Sequence, residues 1–184
     1  MDRKNAYKPN IDIRNYIANY PDFPKPGIQF KDISPILTSP EAFLYVCHEM
    51  AESCRGADKI VALDARGFIF APTIAQILGI PWVMLRKAGK LPGKTSKYSY
   101  DLEYGSATIE LQEGALKAGE KVSIVDDLLA TGGTALAAVK LVEMQGAEVL
   151  NCSFVIALDE VFLKGFATRK ELEKYNCSAV VSYE

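Results

Sequence analysis

The chain is poor in the side chains that metal and redox chemistry need. Its 184 residues hold one histidine, His48, and four cysteines, Cys47, Cys54, Cys152 and Cys177. No Cys-x-x-Cys occurs, so a structural zinc site is not expected, and a single histidine excludes two-histidine chemistry. The thiols read as free and mostly buried, in a reducing cytosol. Cys47 and His48 are sequence neighbours, and neighbours on a helix do not face each other, so they make a poor nucleophile–base pair. An excess of one charge is also missing: 21 Lys and Arg stand against 23 Asp and Glu, a formal net charge of −2. That gives no footprint of a general nucleic-acid or membrane-surface binder. The most apolar stretch, residues 68–85, is interrupted by Pro72, Gln76, Gly79 and Pro81, and reads as helix, turn and strand, not as a membrane span. The polar opening Met-Asp-Arg-Lys-Asn starts no signal peptide, which points to the cytoplasm. There is no internal repeat, no low-complexity linker, no Walker A loop and no Gly-x-Gly-x-x-Gly. What remains is an ordinary balance, 49% apolar and 24% charged, in a chain long enough for one domain, residues 1–184, with a sizeable core.

The most informative stretch runs from Lys121 to Gly146. Lys121 to Val125 is a short β-branched run, as in a buried parallel strand. Asp126 to Gly133 reads as a loop, which opens on the acid pair Asp126-Asp127 and holds the side-chain-poor string Ala130-Thr131-Gly132-Gly133-Thr134. Thr134 can cap a helix with Leu136, Val139, Val142 and Met144 on its apolar face, and Gly146 can stop it. Backbone N–H groups of such a loop can close on an anion, and the helix N-terminus adds a favourable dipole. Two aspartates would repel that anion but suit neutral hydroxyl donors. A diol at one end and a phosphate at the other describe a ribose 5-phosphate. The competing account is ordinary turn chemistry.

Elsewhere the pattern alternates. Residues 11–20 have helical spacing, and three prolines between Pro21 and Pro26 forbid regular structure after them. A strand is expected over 28–33 and a helix from Pro40 to about Ser53. Strands are expected at 59–63, 81–85, 104–111, 121–125, 148–158 and 179–183, with helices from Gly67 to about Leu78 and over 167–175. This is an α/β pattern, a mostly parallel sheet with helices on both faces. In such sheets sites lie beyond the strand carboxyl ends, where Asp64-Ala65-Arg66-Gly67, Arg86-Lys87 and Asp126-Asp127 all fall.

Residues 86–103 read as a long polar loop, usually functional or mobile at that length. Arg86, Lys87, Lys90, Lys94 and Lys97 make five cations with no acid between them. A solvated surface loop is the default for such a run. Its place on the ligand side, with Arg66, suits instead a phosphate-bearing anion. Gly89 and Gly93 permit a lid that excludes water. Glu103 by itself is an acid at the end of a basic loop, with a salt bridge as its default role, and Phe30 by spacing alone is a core residue.

Three stretches resemble one family. Val-Asp-Asp-Leu-Leu-Ala-Thr-Gly-Gly-Thr is similar to the phosphoribosyl-pyrophosphate motif of type I phosphoribosyltransferases, in the version of the adenine phosphoribosyltransferases. Lys87-Ala88-Gly89-Lys90-Leu91-Pro92-Gly93, continued by Tyr100-Asp101-Leu102-Glu103-Tyr104-Gly105, resembles their flexible catalytic loop. Residues Phe23 to Pro35 resemble the hood segment that holds adenine. The resemblance covers about residues 12–151 and weakens after Leu158.

It implies the type I phosphoribosyltransferase fold with a small N-terminal hood (roughly 1–35) and a flexible active-site loop (roughly 87–103). The implied reaction is adenine plus 5-phosphoribosyl 1-pyrophosphate giving AMP and pyrophosphate. Mg²⁺ would be held by pyrophosphate, sugar and water oxygens, with no direct protein ligand. The implied assembly is a homodimer, with no nucleic-acid or membrane partner. Ala130, Thr131, Gly132, Gly133 and Thr134 would hold the 5′-phosphate, and Asp126 and Asp127 the ribose hydroxyls. Arg66, Arg86, Lys87, Lys90 and Tyr100 would face pyrophosphate. Glu103 would be the acid–base group near the purine. Phe30 would stack on adenine while the main chain at Gln29 and Lys31 reads its edge; Lys31 stands where family members often carry Arg. Two rivals are a transferase for another base and a non-catalytic regulator that binds the sugar pyrophosphate.

Overall fold

The computed structural model describes residues 11–101, 105–158 and 166–183. The chain divides into two compact units, residues 1–49 and 50–184. In the first, Asp12 caps a 3-10 turn, Ile13–Tyr16, its carboxylate accepting from the Arg14 N–H at 3.1 Å. The helical spacing seen over 11–20 is therefore realised in one turn only. The chain then extends as β1 (Ala18–Pro21), which pairs antiparallel with β2 (Gln29–Asp32), Tyr20 opposite Phe30. Pro21 closes β1 at an edge, where a missing N–H is tolerated. A short helix α1 (Ser34–Leu37) precedes α2 (Pro40–Ser53), which starts with Ser39 Oγ accepting the Ala42 N–H at 3.3 Å.

The second unit is built on a seven-stranded sheet. Its strands are β3 (Lys59–Leu63), β4 (Trp82–Lys87), β5 (Thr95–Asp101), β6 (Ser106–Gln112), β7 (Lys121–Leu129), β8 (Glu148–Leu158) and β9 (Cys177–Tyr183). Their order across the sheet is β5-β6-β4-β3-β7-β8-β9. The five strands from β4 to β9 run parallel, and β6 and β5 add antiparallel at one edge. Helices α3 (Gly67–Leu78), α4 (Gly133–Met144) and α5 (Ala167–Leu172) complete the described elements.

Burial follows the two-residue strand period. Val61, Leu63, Val122, Ile124, Cys152 and Phe154 join the core that includes Ala137, Ala138, Leu141 and Val142 of α4. The intervening Ile60, Ala62, Ser123, Val125, Ser153 and Val155 are buried as well, so both faces of the central strands are covered. Two expectations are corrected here. Residues 95–101 form a strand, because Thr95 to Asp101 pairs in register with Gln112 to Ser106; the expected loop is thus a short crossing followed by a hairpin. The buried face of α4 is also wider and smaller-grained than expected: Ala135, Ala137, Ala138, Val139, Leu141 and Val142 are buried, whereas Met144 is 61% exposed. Small side chains let α4 lie close to the sheet.

Candidate active site

A cavity of about 360 Å³ opens at the carboxyl ends of β3, β4 and β7. Three strand ends bring their chemistry there. β3 delivers Asp64, Ala65 and Arg66, β4 delivers Arg86 and Lys87, and β7 delivers Asp126 and Asp127. Ala130, Thr131, Gly132, Gly133 and Thr134 line the same cavity, and Tyr100 reaches it from β5. Lys90 does not line it: its side chain is exposed while its main chain is engaged, N–H on Glu110 and C=O on Arg86. Glu103 lies outside the described residues.

β7 continues as strand to Leu129, so the acid pair stands in a strand and not in a loop. Both carboxylates reach the same cavity and lie close enough to act on each other. Asp127 is buried and meets Arg66, Nε to Oδ2 2.8 Å. Asp126 accepts the Asp127 N–H at 2.9 Å. Burial, then the neighbouring Asp127 charge, pushes the Asp126 carboxyl well above its ordinary range. Burial also raises Asp127, with Arg66 offsetting part of the rise. A site that holds such a pair is completed by hydroxyl donors.

The loop after β7 is shaped by sterics. Gly132 has φ +82°, and a Cβ there would lie 2.7 Å from Leu172 Cδ1 and 3.3 Å from Arg169 Cδ. Gly132, not Thr134, is the residue before the first turn of α4. Thr134 lies inside that turn, and its hydroxyl is 3.0 Å from the Tyr100 hydroxyl. Thr168 of α5 donates its hydroxyl to the Thr131 carbonyl. The first N–H groups of α4 have no carbonyl one turn earlier to bond, so they remain donors for an anion. Gly67 makes a second close approach: a Cβ there would be 2.5 Å from the Val125 carbonyl oxygen, so only glycine lets α3 start against β7.

On the opposite wall, Arg86 donates from Nε to Asp64 Oδ2 at 3.0 Å and lies over the Phe68 ring, 5.8 Å from its centroid. Asp64 was legible only by position, at a strand end. Glu110 was not legible as anything but a surface residue. It alternates with Ile109 and Leu111 and reads as the outer face of β6, yet it is 1% exposed because the residues after β4 fold over it. Burial pulls its carboxyl up, but the Leu91 and Lys90 N–H groups, the Thr95 hydroxyl and Lys97 outweigh that and hold it below the usual range.

The first unit carries its own small pocket, lined by Tyr20, Phe23, Phe30 and Asp32. Phe23 and Phe30 meet edge to face with centroids 5.2 Å apart. Phe30 is only partly buried, so the core role that spacing suggests does not hold. Gln29 and Lys31 flank it on β2, and Gln29 accepts the Asn19 side-chain amide at 2.8 Å.

Comparison with known proteins shows the family and the fold. The model of the phosphoribosyl transferase domain family matches residues 36–178. An adenine phosphoribosyltransferase of Mesomycoplasma hyopneumoniae is 47% identical over 171 residues, 93% of this chain and 97% of that one. The crystal structure of an adenine phosphoribosyltransferase from Thermoanaerobacter pseudethanolicus superposes with a TM-score of 0.85 at 43% identity, covering 93% of this chain and 98% of the other. The Saccharomyces cerevisiae adenine phosphoribosyltransferase, solved with an imino-altritol bisphosphate and adenine, gives 0.83 at 40% identity, covering 92% and 96%. An acid pair, a glycine cradle and a cationic wall on one parallel sheet, with relatives this similar over nearly the whole chain, make this chain a member of the adenine phosphoribosyltransferases, within the type I phosphoribosyltransferase family.

Proposed function

We propose that the protein transfers the 5-phosphoribosyl group from 5-phosphoribosyl 1-pyrophosphate to adenine, giving AMP and pyrophosphate, a purine-salvage reaction. The observation that carries this is the single cavity that joins the acid pair, the glycine-rich cradle and the Arg86–Lys87 wall. The 5′-phosphate sits in the cradle of residues 130–134, held by main-chain N–H groups and the Thr131 and Thr134 hydroxyls. Asp126 and Asp127 accept from the ribose hydroxyls. Pyrophosphate lies against Arg66, Arg86 and Lys87, with the Tyr100 hydroxyl as a donor. Lys90 contributes charge near that end and not a wall contact.

Charge builds on pyrophosphate as the C1–O bond breaks, so donors fixed in advance act mainly on the transition state. Adenine stacks on Phe30, in the pocket it shares with Phe23 and Tyr20. Main-chain readout at Gln29 and Lys31 suits a base whose amino group donates and whose ring nitrogen accepts; a 6-oxopurine reverses that pattern. Glu103 is assigned the purine proton by its motif.

The residues fit Mg²⁺ carried on the substrate. Asp64 and Asp127 are each paired with an arginine, so their charge is already matched by the protein. Bound through phosphate and water oxygens, Mg²⁺ would neutralise charge on the leaving group. We also infer a cytoplasmic homodimer. No helix among the described residues is long and apolar enough to cross a membrane. Ile69 and Met84 are 37% and 40% exposed on neighbouring α3 and β4, where Phe68 and Trp82 pack with centroids 6.1 Å apart. Light scattering should give twice the chain mass; a monomer would remove the dimer.

The test of function is AMP formation from adenine, the sugar pyrophosphate and Mg²⁺, beside guanine, hypoxanthine and orotate. AMP from adenine alone is expected. Turnover with another base would discard the base pocket. Binding without turnover on any base would favour the regulator.

A further inference from the structure

Residues 86–97 carry five cations and no acid. The acid that this segment lacks is supplied from β6. Glu110 stands opposite Arg86 on one side and Lys97 on the other, as the Cα partner of each across the sheet. Its Oε1 accepts the Lys90 N–H at 2.8 Å and the Leu91 N–H at 2.9 Å. Its Oε2 accepts the Thr95 hydroxyl at 3.1 Å and is 3.8 Å from Lys97 Nζ. One buried carboxylate thus ties both ends of the crossing from β4 to β5.

The contacts do not stop there. The Lys90 carbonyl accepts from Arg86 Nη1 at 3.3 Å, and Arg86 Nε donates to Asp64 Oδ2 at 3.0 Å. A continuous series therefore runs from Glu110 through the Lys90 main chain and the Arg86 guanidinium to Asp64. Arg86 and Asp64 line the cavity; Glu110 does not. A carboxylate is costly to bury unless it is bonded, and an apolar side chain on β6 would fill the same space without that cost. What the carboxylate adds is three hydrogen-bond donors, with the Lys97 cation nearby, gathered around one point.

We propose that Glu110 is a positioning residue for the pyrophosphate end of the site, acting on Arg86 through the main chain of Lys90. This rests on the transferase reading above. Glu110 touches no substrate. It fixes the carbonyl that fixes one arm of Arg86, so the guanidinium meets its anion without first being ordered. Glutamine at 110 keeps one acceptor oxygen but loses the charge and the second acceptor that Thr95 and Lys97 use.

The experiment is calorimetric titration of Mg²⁺-pyrophosphate into the full chain, its Glu110→Gln and Arg86→Met variants and the double variant. Michaelis constants for both substrates are read beside it. Glu110→Gln should weaken pyrophosphate roughly 10-fold, as expected for losing a charge-assisted contact. The adenine constant should stay within about twofold. In the Arg86→Met background Glu110→Gln should add less than about twofold, because its route is already cut. If Glu110→Gln does not fold, Thr95→Val removes the Oε2 contact alone, and a roughly threefold weakening is expected. Unchanged binding, equal weakening of both substrates, or full additivity in the double variant would overturn the proposal. The transferase reading fails separately: an unsubstituted protein that binds pyrophosphate but makes no AMP loses that reading and keeps the positioning series. One that binds no pyrophosphate loses both.

Discussion

The two turns that follow β7 and β4 are held in different ways. After β7, the cradle of residues 130–134 is fixed by what is missing. Gly132 has no side chain where Leu172 and Arg169 press in, and the helix that follows supplies N–H groups without help from any charged residue. After β4, the crossing to β5 is fixed by what is added, a buried carboxylate twenty positions beyond Lys90 whose loss would leave three donors unsatisfied. The first arrangement tolerates no addition and the second no deletion. On the proposed function, the difference suits the two ligand groups. A phosphate held by main-chain amides needs a rigid cradle. A leaving pyrophosphate needs cations that are aimed yet can let go.

The sharpest break of this comparison is Gly132→Val. It meets both the left-handed backbone and the 2.7 Å approach to Leu172. Chemical denaturation should show a loss of about 3 kcal/mol or more, from the backbone conformation and overpacking together. Turnover should fall by roughly 100-fold or more as the amides leave their geometry.

Asp126→Asn comes next and should separate stability from activity. The raised carboxyl means the folded state binds more protons than the unfolded state between the two pKa values. Stability from this group is therefore full below the unfolded Asp range, about pH 4, and is lost as pH rises through the folded value. Asparagine removes that loss. At pH 8 the variant should melt higher than the unsubstituted protein, while turnover drops about 100-fold because the amide keeps one acceptor oxygen but loses the charge and the second acceptor for the diol. A lower melting temperature at pH 8 would mean that Asp126 is stabilised when ionised and that the two aspartates do not repel.

Tyr100→Phe removes the hydroxyl that meets Thr134, one hydrogen bond between β5 and the start of α4. A change of about 1 kcal/mol in stability is expected. The smallest effect belongs to Lys140→Ala. Its 2.7 Å pair with Glu171 joins α4 to α5, but both side chains are about a third exposed. Thermal melting should change by at most about 0.5 kcal/mol, since exposed pairs are screened. A larger value would mean that α5 is braced on α4 by charge more than by the wedge at Gly132.

The same contrast explains what was legible in the sequence. The strand and helix at 121–145 were readable because their logic is local: a β-branched run, an acid pair, small residues, then an alanine-rich helix. Even so, local pattern puts the acid pair in a loop, because no local signal tells that β8 continues the ladder from Val125 to Leu129. Thr134 looked like the cap because threonine usually caps; here Gly132 takes that place and the hydroxyl is turned to Tyr100. The polar, glycine-bearing run at 86–103 looked like one loop, and pairing with residues 106–112 overrode that composition from Thr95 on. Glu110 was hidden for the same reason. Strand alternation predicts an outward acid, and only the fold shows that the basic segment covers it.

The most direct check on the account is a crystal structure of the protein with AMP. The 5′-phosphate should lie within hydrogen-bond distance of the main-chain N–H groups of residues 131–134, with the ribose hydroxyls on Asp126 and Asp127. A phosphate bound instead at Arg86 and Lys87, with the cradle of residues 130–134 unused, would reverse the polarity of the site and contradict the account.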